Sequence, residues 1–162
     1  MIFQPVLYII GYLLSALSII LCIPASVDAF YGDSQWQSFT FASLISLFFG
    51  IILILANKSD NFSISLKQAF LVTTLSWVFI AFFGSLPFIF SDLELSFTDA
   101  FFESMSGITT TGSTILSNLD NSPHGILIWR SLLQWFGGIG IVVIAIAFLP
   151  ILKVGGMQLF HT

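Results

Sequence analysis

Thr109, Thr110, Thr111, Gly112, Ser113 and Thr114 form a run of small polar residues without one large apolar side chain. In an extended conformation such a run presents successive carbonyl oxygens, and each Thr adds a hydroxyl oxygen. Hard monovalent cations exchange their hydration water for oxygens of this kind. Gly112 permits a backbone angle that a Cβ forbids. The same composition also suits a plain loop between apolar segments. The residues alone therefore leave an ion filter and a loop both open.

Just upstream, Asp99 and Glu103 stand four residues apart. On a helix they share a face, which invites a paired general acid and base. Ser96 and Asp99 also have the S-x-x-D spacing of a capping box, which assigns Asp99 to a helix N-terminus. Glu103 then falls on an apolar helical stretch with Phe97, Phe101, Phe102, Met105 and Ile108. Its readings are a cation-attracting or filter-bracing group, or a partner of Arg130 or another polar neighbour.

Other residues suggest chemistry that their context does not support. Gly137, Gly138 and Gly140 look like a nucleotide loop, but no βαβ unit surrounds them. Close packing of membrane helices is the preferred reading. His124 and His161 lie a whole apolar segment apart, without the ligand spacing of a metal site. Cys22, the single cysteine, excludes a disulfide framework and reads as a buried apolar residue. Trp36 and Trp129 fit an interfacial aromatic belt best.

The elements that must position these groups follow from composition. Hydrophobic residues make up 57% of the 162 and charged residues 7%, against about 25% charged in a soluble domain. Four basic residues against eight acidic ones exclude a nucleic-acid binder. The class is an all-α integral membrane protein in a lipid bilayer. No charge occurs in 1–27, 34–57, 68–91 or 131–152, and a spanning helix needs about 20 apolar residues. The spans are placed at 5–27, 37–57, 68–90 and 126–152. A signal peptide is the alternative for the first, but its apolar run is long and no positive segment leads it. Pro24 and Pro87 are read as span terminators, and 28–36 as a polar turn.

Lys58, Lys67 and Lys153 place the N-terminus in the cytoplasm. Asp28, Asp33, Asp92, Glu94, Asp99, Glu103 and Asp120 then lie outside, either by chance or as a field that concentrates cations. The 35 residues between the last two spans are too apolar for an ordinary loop. A helix over 97–107, ending at Gly107, is about 16 Å long, half a membrane. It is read as a re-entrant half-helix whose negative end faces the membrane centre. Irregular backbone at that depth must be buried in protein or line a watery cavity.

The string LPFIFSDLELSFTDAFFESMSGITTTGST closely resembles the first pore repeat of the Trk-type potassium-uptake membrane subunits (the TrkH/Ktr family), although it lacks the T-V-G-Y-G string of tetrameric potassium channels. So does SPHGILIWRSLLQWFGGIGIVVIAIAFLPILKVGGMQLF. The resemblance implies two leading transmembrane helices and a cytoplasmic loop over 1–66. It implies the first helix–pore-loop–helix repeat over 67–162: outer helix 68–90, pore helix 97–107, filter 109–113 and inner helix 126–152. It assigns potassium-binding oxygens to Thr109, Thr110, Thr111, Gly112 and Ser113, with Gly112 as the filter glycine. The substrate is potassium, and no other metal, covalent cofactor or enzymatic activity is implied. The expected partners are the remaining repeats, a second copy in a homodimer and a cytoplasmic nucleotide-binding regulator of the TrkA type. The expected location is the bacterial cytoplasmic (inner) membrane.

The family pattern contains four repeats, and this sequence carries the first. A nonconducting fragment or assembly module is therefore the alternative expectation, with a homotetrameric pore of four identical repeats as a further one.

Overall fold

The computed structural model describes residues 3–58, 65–117, 119 and 122–148. Five helices hold most of them: α1 (Gln4–Tyr31), α2 (Trp36–Ala56), α3 (Leu66–Phe90), α4 (Phe97–Ile108) and α5 (His124–Phe148). No β-sheet occurs among the described residues. Four of the helices, all but α4, are long and apolar enough to cross a membrane. The chain is thus an all-α, multi-pass membrane protein with one short helix inserted between α3 and α5. Lipid offers no partner for backbone N–H and C=O groups, so helices satisfy them internally.

α1 buries one stripe, Val6, Ile10, Leu14, Leu17, Leu21, Pro24 and Asp28, at steps of three and four residues. It packs closely on α2 through small residues. A Cβ on either Gly11 or Gly50 would come within 2.9 Å of the other's carbonyl oxygen. Ser43 Oγ donates across the interface to the Ser18 carbonyl at 2.7 Å. Lipid tails are as apolar as Leu, so such contacts, rather than hydrophobic transfer, hold membrane helices together.

Neither proline ends its helix. Pro24 is fully buried inside α1, which runs seven residues further, and Pro87 lies inside α3. Proline removes one donor, but its φ suits a helix. Ending the helix there would strand more backbone groups in an apolar layer. α1 stops instead at Gly32, whose φ of 80° and N–H to the Asp28 carbonyl form a left-handed cap. Asp28 is therefore helical, and the turn is shorter than 28–36.

α3 begins with a capping box between Ser65 and Gln68. α4 begins at Ser96, which accepts the Asp99 N–H at 3.2 Å. It runs one residue past Gly107, so that glycine does not terminate it. A Cβ at Gly107 would lie 3.0 Å from the Leu133 Cβ, which makes it a packing glycine against α5. α5 begins at His124, two residues earlier than 126. The end of the expected inner helix at 149–152 lies outside the described residues, as do Asp120, Lys153 and His161.

The core joins α3, α4 and α5 through Phe83, Phe88, Ala100, Ile108, Ile126, Trp129 and Leu133. Trp129 is fully buried, with its indole N–H donating to the Gly84 carbonyl at 2.9 Å. It is a core residue and not part of an interfacial belt. Trp36 is exposed at the start of α2. Cys22 is also exposed, with its Sγ 3.8 Å from Ser43 Oγ of α2, and not buried as its composition suggests.

Candidate functional site: the strand after the short helix

α4 ends by turning its chain back along itself. The Thr109 N–H donates to the Met105 carbonyl at 2.9 Å and the Thr110 N–H to Gly107 at 2.9 Å. Those of Thr111 and Gly112 reach the Ser106 carbonyl at 3.0 and 3.3 Å. All described peptide bonds are trans. In a trans peptide the C=O points opposite to the N–H. The carbonyl oxygens of Thr109, Thr110 and Thr111 therefore face away from α4. The last carbonyls of the helix are occupied by the strand's own N–H groups. An ion near this end meets the helix macrodipole and the strand's oxygens, not the carbonyls of residues 105–107.

Thr110 and Gly112 have positive φ, 60° and 76°. In an ordinary extended chain successive carbonyls alternate sides. Left-handed backbone at every second residue turns them toward one side. For Gly112 this region is free of steric cost. For β-branched Thr110 it costs about 1–3 kcal/mol, which the bonds back to α4 must hold in place. Nothing lies closer to a Cβ at Gly112 than Gln134 Nε2 at 3.9 Å, so backbone angle, not space, demands the glycine.

The hydroxyls have a direction. Thr109 Oγ1 donates to the Met105 carbonyl at 2.8 Å. Its one proton is thereby used, so Thr111 Oγ1 donates in the 2.8 Å contact between the two hydroxyls. Ser113 differs from its neighbours, because its carbonyl accepts Ser106 Oγ at 2.6 Å. The side chains of residues 109–113 are all exposed.

Asp99 and Glu103 have separate partners. Asp99 Oδ2 accepts the Ser96 hydroxyl at 2.7 Å, at the start of α4. Glu103 is buried, and its Oε1 accepts Thr114 Oγ1 at 2.5 Å and the Ile115 N–H at 2.6 Å. Its Oε2 accepts Arg130 Nε at 3.0 Å. One carboxylate thus ties α4, the strand after Gly112 and α5 together. The two acids do not form an acid–base pair. Among the described residues no group of three or more His, Cys, Asp and Glu could hold a metal ion.

Of Gly137, Gly138 and Gly140, only Gly137 is required by close packing. A Cβ on Gly137 would fall on the Ile108 carbonyl, whereas Gly138 and Gly140 have ordinary room.

The acidic residues do not form one open external field. Asp28 is fully buried, with Oδ1 accepting the Gly125 N–H and Oδ2 without a partner among the described residues. Asp33 Oδ2 accepts from the His124 backbone at 3.2 Å and from His124 Nδ1 at 2.8 Å. These bonds, the ring's first, hold the Asp33 carboxyl below its usual pKa. The His124 ring also stacks on Tyr31 at 4.2 Å. Asp92 accepts Gln35 Nε2 at 2.6 Å. Two aspartates from the α1 end thus cap the first N–H groups of α5, where negative charge is favourable. Sequence reasoning missed this contact. Its signal was present, since Asp28 continues the step of three and four residues that runs through Leu21 and Pro24.

The TrkH family model, described as a cation transport protein, matches residues 35–162. The chain is 45% identical over 160 residues to the Trk system potassium uptake protein TrkH of Escherichia coli, covering 98% of this chain and 33% of that protein. It is 34% identical over 142 residues to an uncharacterised cation transporter of Methanocaldococcus jannaschii, covering 88% and 30%. The crystal structure of the potassium transporter TrkH from Vibrio parahaemolyticus superposes with a TM-score of 0.90 at 40% identity, covering 97% of this chain and 34% of that one. The chain spans about one third of the length of the curated relatives it matches.

Proposed function

The chain belongs to the TrkH family of cation transport proteins, and from that premise we propose that it supplies the first pore-loop repeat of a potassium-uptake subunit, with residues 109–113 as one wall of the ion path. The reading rests above all on one observation: three consecutive N–H groups, of residues 110–112, are turned back onto α4. Carbonyls opposite them are left to face a cation. Potassium sheds water onto these oxygens and the Thr hydroxyls, then passes in single file down its gradient. No bond is made or broken, so no enzymatic step and no resident cofactor is needed.

One strand forms one side of such a path. The other sides come from further repeats of the same subunit. The family resemblance adds a second copy as a homodimer and a TrkA-type nucleotide-binding regulator on the cytoplasmic side. The membrane is the bacterial inner membrane. Lys58 and Lys67, exposed near the facing ends of α2 and α3, favour a cytoplasmic N-terminus.

Gly112→Asp in the full subunit tests the filter. It places a carboxylate in the path, where an ion must bind weakly enough to leave. Potassium uptake in a bacterium stripped of other uptake systems is expected to fall roughly tenfold or more, the effect of ~1.4 kcal/mol on a barrier. Unchanged uptake with unchanged selectivity sinks the assignment.

A further inference from the structure

We propose that Glu103 and Arg130 are positioning residues for the ion path, a buried ion pair that fixes the far end of the filter strand against α5. The inference rests on the filter reading of residues 109–113. The near end of that strand is anchored by its N–H bonds to residues 105–107. The far end is anchored three times in succession. Ser106 Oγ holds the Ser113 carbonyl at 2.6 Å. Glu103 Oε1 holds Thr114 Oγ1 at 2.5 Å and the Ile115 N–H at 2.6 Å. The carbonyls of residues 109–111, which face away from α4, lie between these two sets of anchors.

Arg130 brings α5 into the same frame. Its Nε lies 3.0 Å from Glu103 Oε2, with the Glu103 side chain 1% exposed and the Arg130 side chain 14%. Seven residues further along α5, about 10 Å, Gly137 lies directly beneath the Ile108 carbonyl at the near end. One rigid helix therefore meets α4 where the strand leaves it, at Ile108, and meets the carboxylate that holds the strand's far end, at Glu103. The pairing also removes Glu103 from the role of cation attractor. Both its oxygens are committed, and its charge is balanced inside the protein. A buried ion pair adds little net stability, while a lone buried charge is strongly destabilising. Its value here is geometric.

The test uses the full subunit and measures KM for potassium and rubidium-to-potassium preference, per molecule in the membrane. The variants are Glu103→Gln, Arg130→Gln and Arg130→Lys, with Gly112→Ser as the probe of the filter itself. Displaced ligand oxygens are expected to change KM or preference about tenfold in Glu103→Gln and Arg130→Gln, since misplacement near 1 Å has effects of this order or larger. Arg130→Lys, which keeps the charge, is expected to recover part of the loss. If Glu103→Gln and Arg130→Gln alter only the amount of protein while Gly112→Ser shifts KM or preference, positioning is overturned and the filter stands. If Gly112→Ser also leaves both unchanged, the filter reading fails and takes this inference with it. Should the single variants not reach the membrane, Glu103→Gln combined with Arg130→Met leaves no lone buried charge. Altered preference in that double variant supports the proposal, and wild-type preference overturns it.

Discussion

At the scale of single residues, one neighbour often decides between two roles. Trp129 has the size and N–H of an interfacial residue, yet its indole donates to the Gly84 carbonyl in a dry core. Trp129→Phe keeps an aromatic ring but removes the donor and part of the indole volume. A loss of at least about 1 kcal/mol for the hydrogen bond alone, or roughly 2–4 °C in melting temperature for a chain of this size, is expected by thermal unfolding in detergent. Asp33 illustrates linkage. His124 lowers its folded pKa, so its stabilisation is complete above the unfolded value of about 3.9. It is lost as pH falls through the lower folded value. In melts from about pH 7 to about pH 3, Asp33→Asn is expected to be less stable than wild type at the neutral end. The difference should shrink toward the acid end, and a constant difference would refute the linkage.

At the scale of elements, glycines and serines set how closely helices meet. Gly137 has no room for a Cβ because the Ile108 carbonyl occupies the place, and that obstacle is backbone. Gly137→Ala must push α5 away from α4. Overpacking of this kind costs about 1–3 kcal/mol and should lower the melting temperature, whereas Gly138→Ala, facing only Thr110 Cγ2 at 4.0 Å, should not. Equal effects would remove the argument from close approach. The spans were legible from charge-free windows, and the start of α4 from Ser96 and Asp99. The end of α3 at Phe90 was legible as well, but that of α1 was not, since the helix runs on to Tyr31. A proline rule drawn from water-exposed helices reads Pro24 and Pro87 as terminators, while an apolar surrounding keeps the backbone hydrogen-bonded past both.

At the scale of the whole molecule, many large apolar side chains face outward. Phe41, Phe48 and Leu55 on α2, and Trp135 and Ile146 on α5, are each more than half exposed. In water such a surface would aggregate. On spanning helices it belongs against lipid or further protein. The inward side is organised around α4, which α3 and α5 flank and which the α1 end supports from above α5 through Asp28 and Asp33. The strand after α4 is bonded back to α4 and approached by α5, and residues 109–113 are exposed.

Composition and periodicity by themselves determined the membrane class, the four spans, the short helix and the polar run that follows it. These are local properties: a charge-free length, a capping pair, a stretch without large apolar side chains. Only the tertiary structure decided where the charged groups go. Asp28 reads as a loop acid and is a buried cap on α5, and Glu103 admits several partners and takes three donors. Arg130 finds its carboxylate 27 residues away in sequence. Pairings of this kind depend on which helix faces are brought together. That choice is made by packing at Gly11, Gly50, Gly107 and Gly137, where the absence of a side chain leaves little trace in a hydropathy pattern.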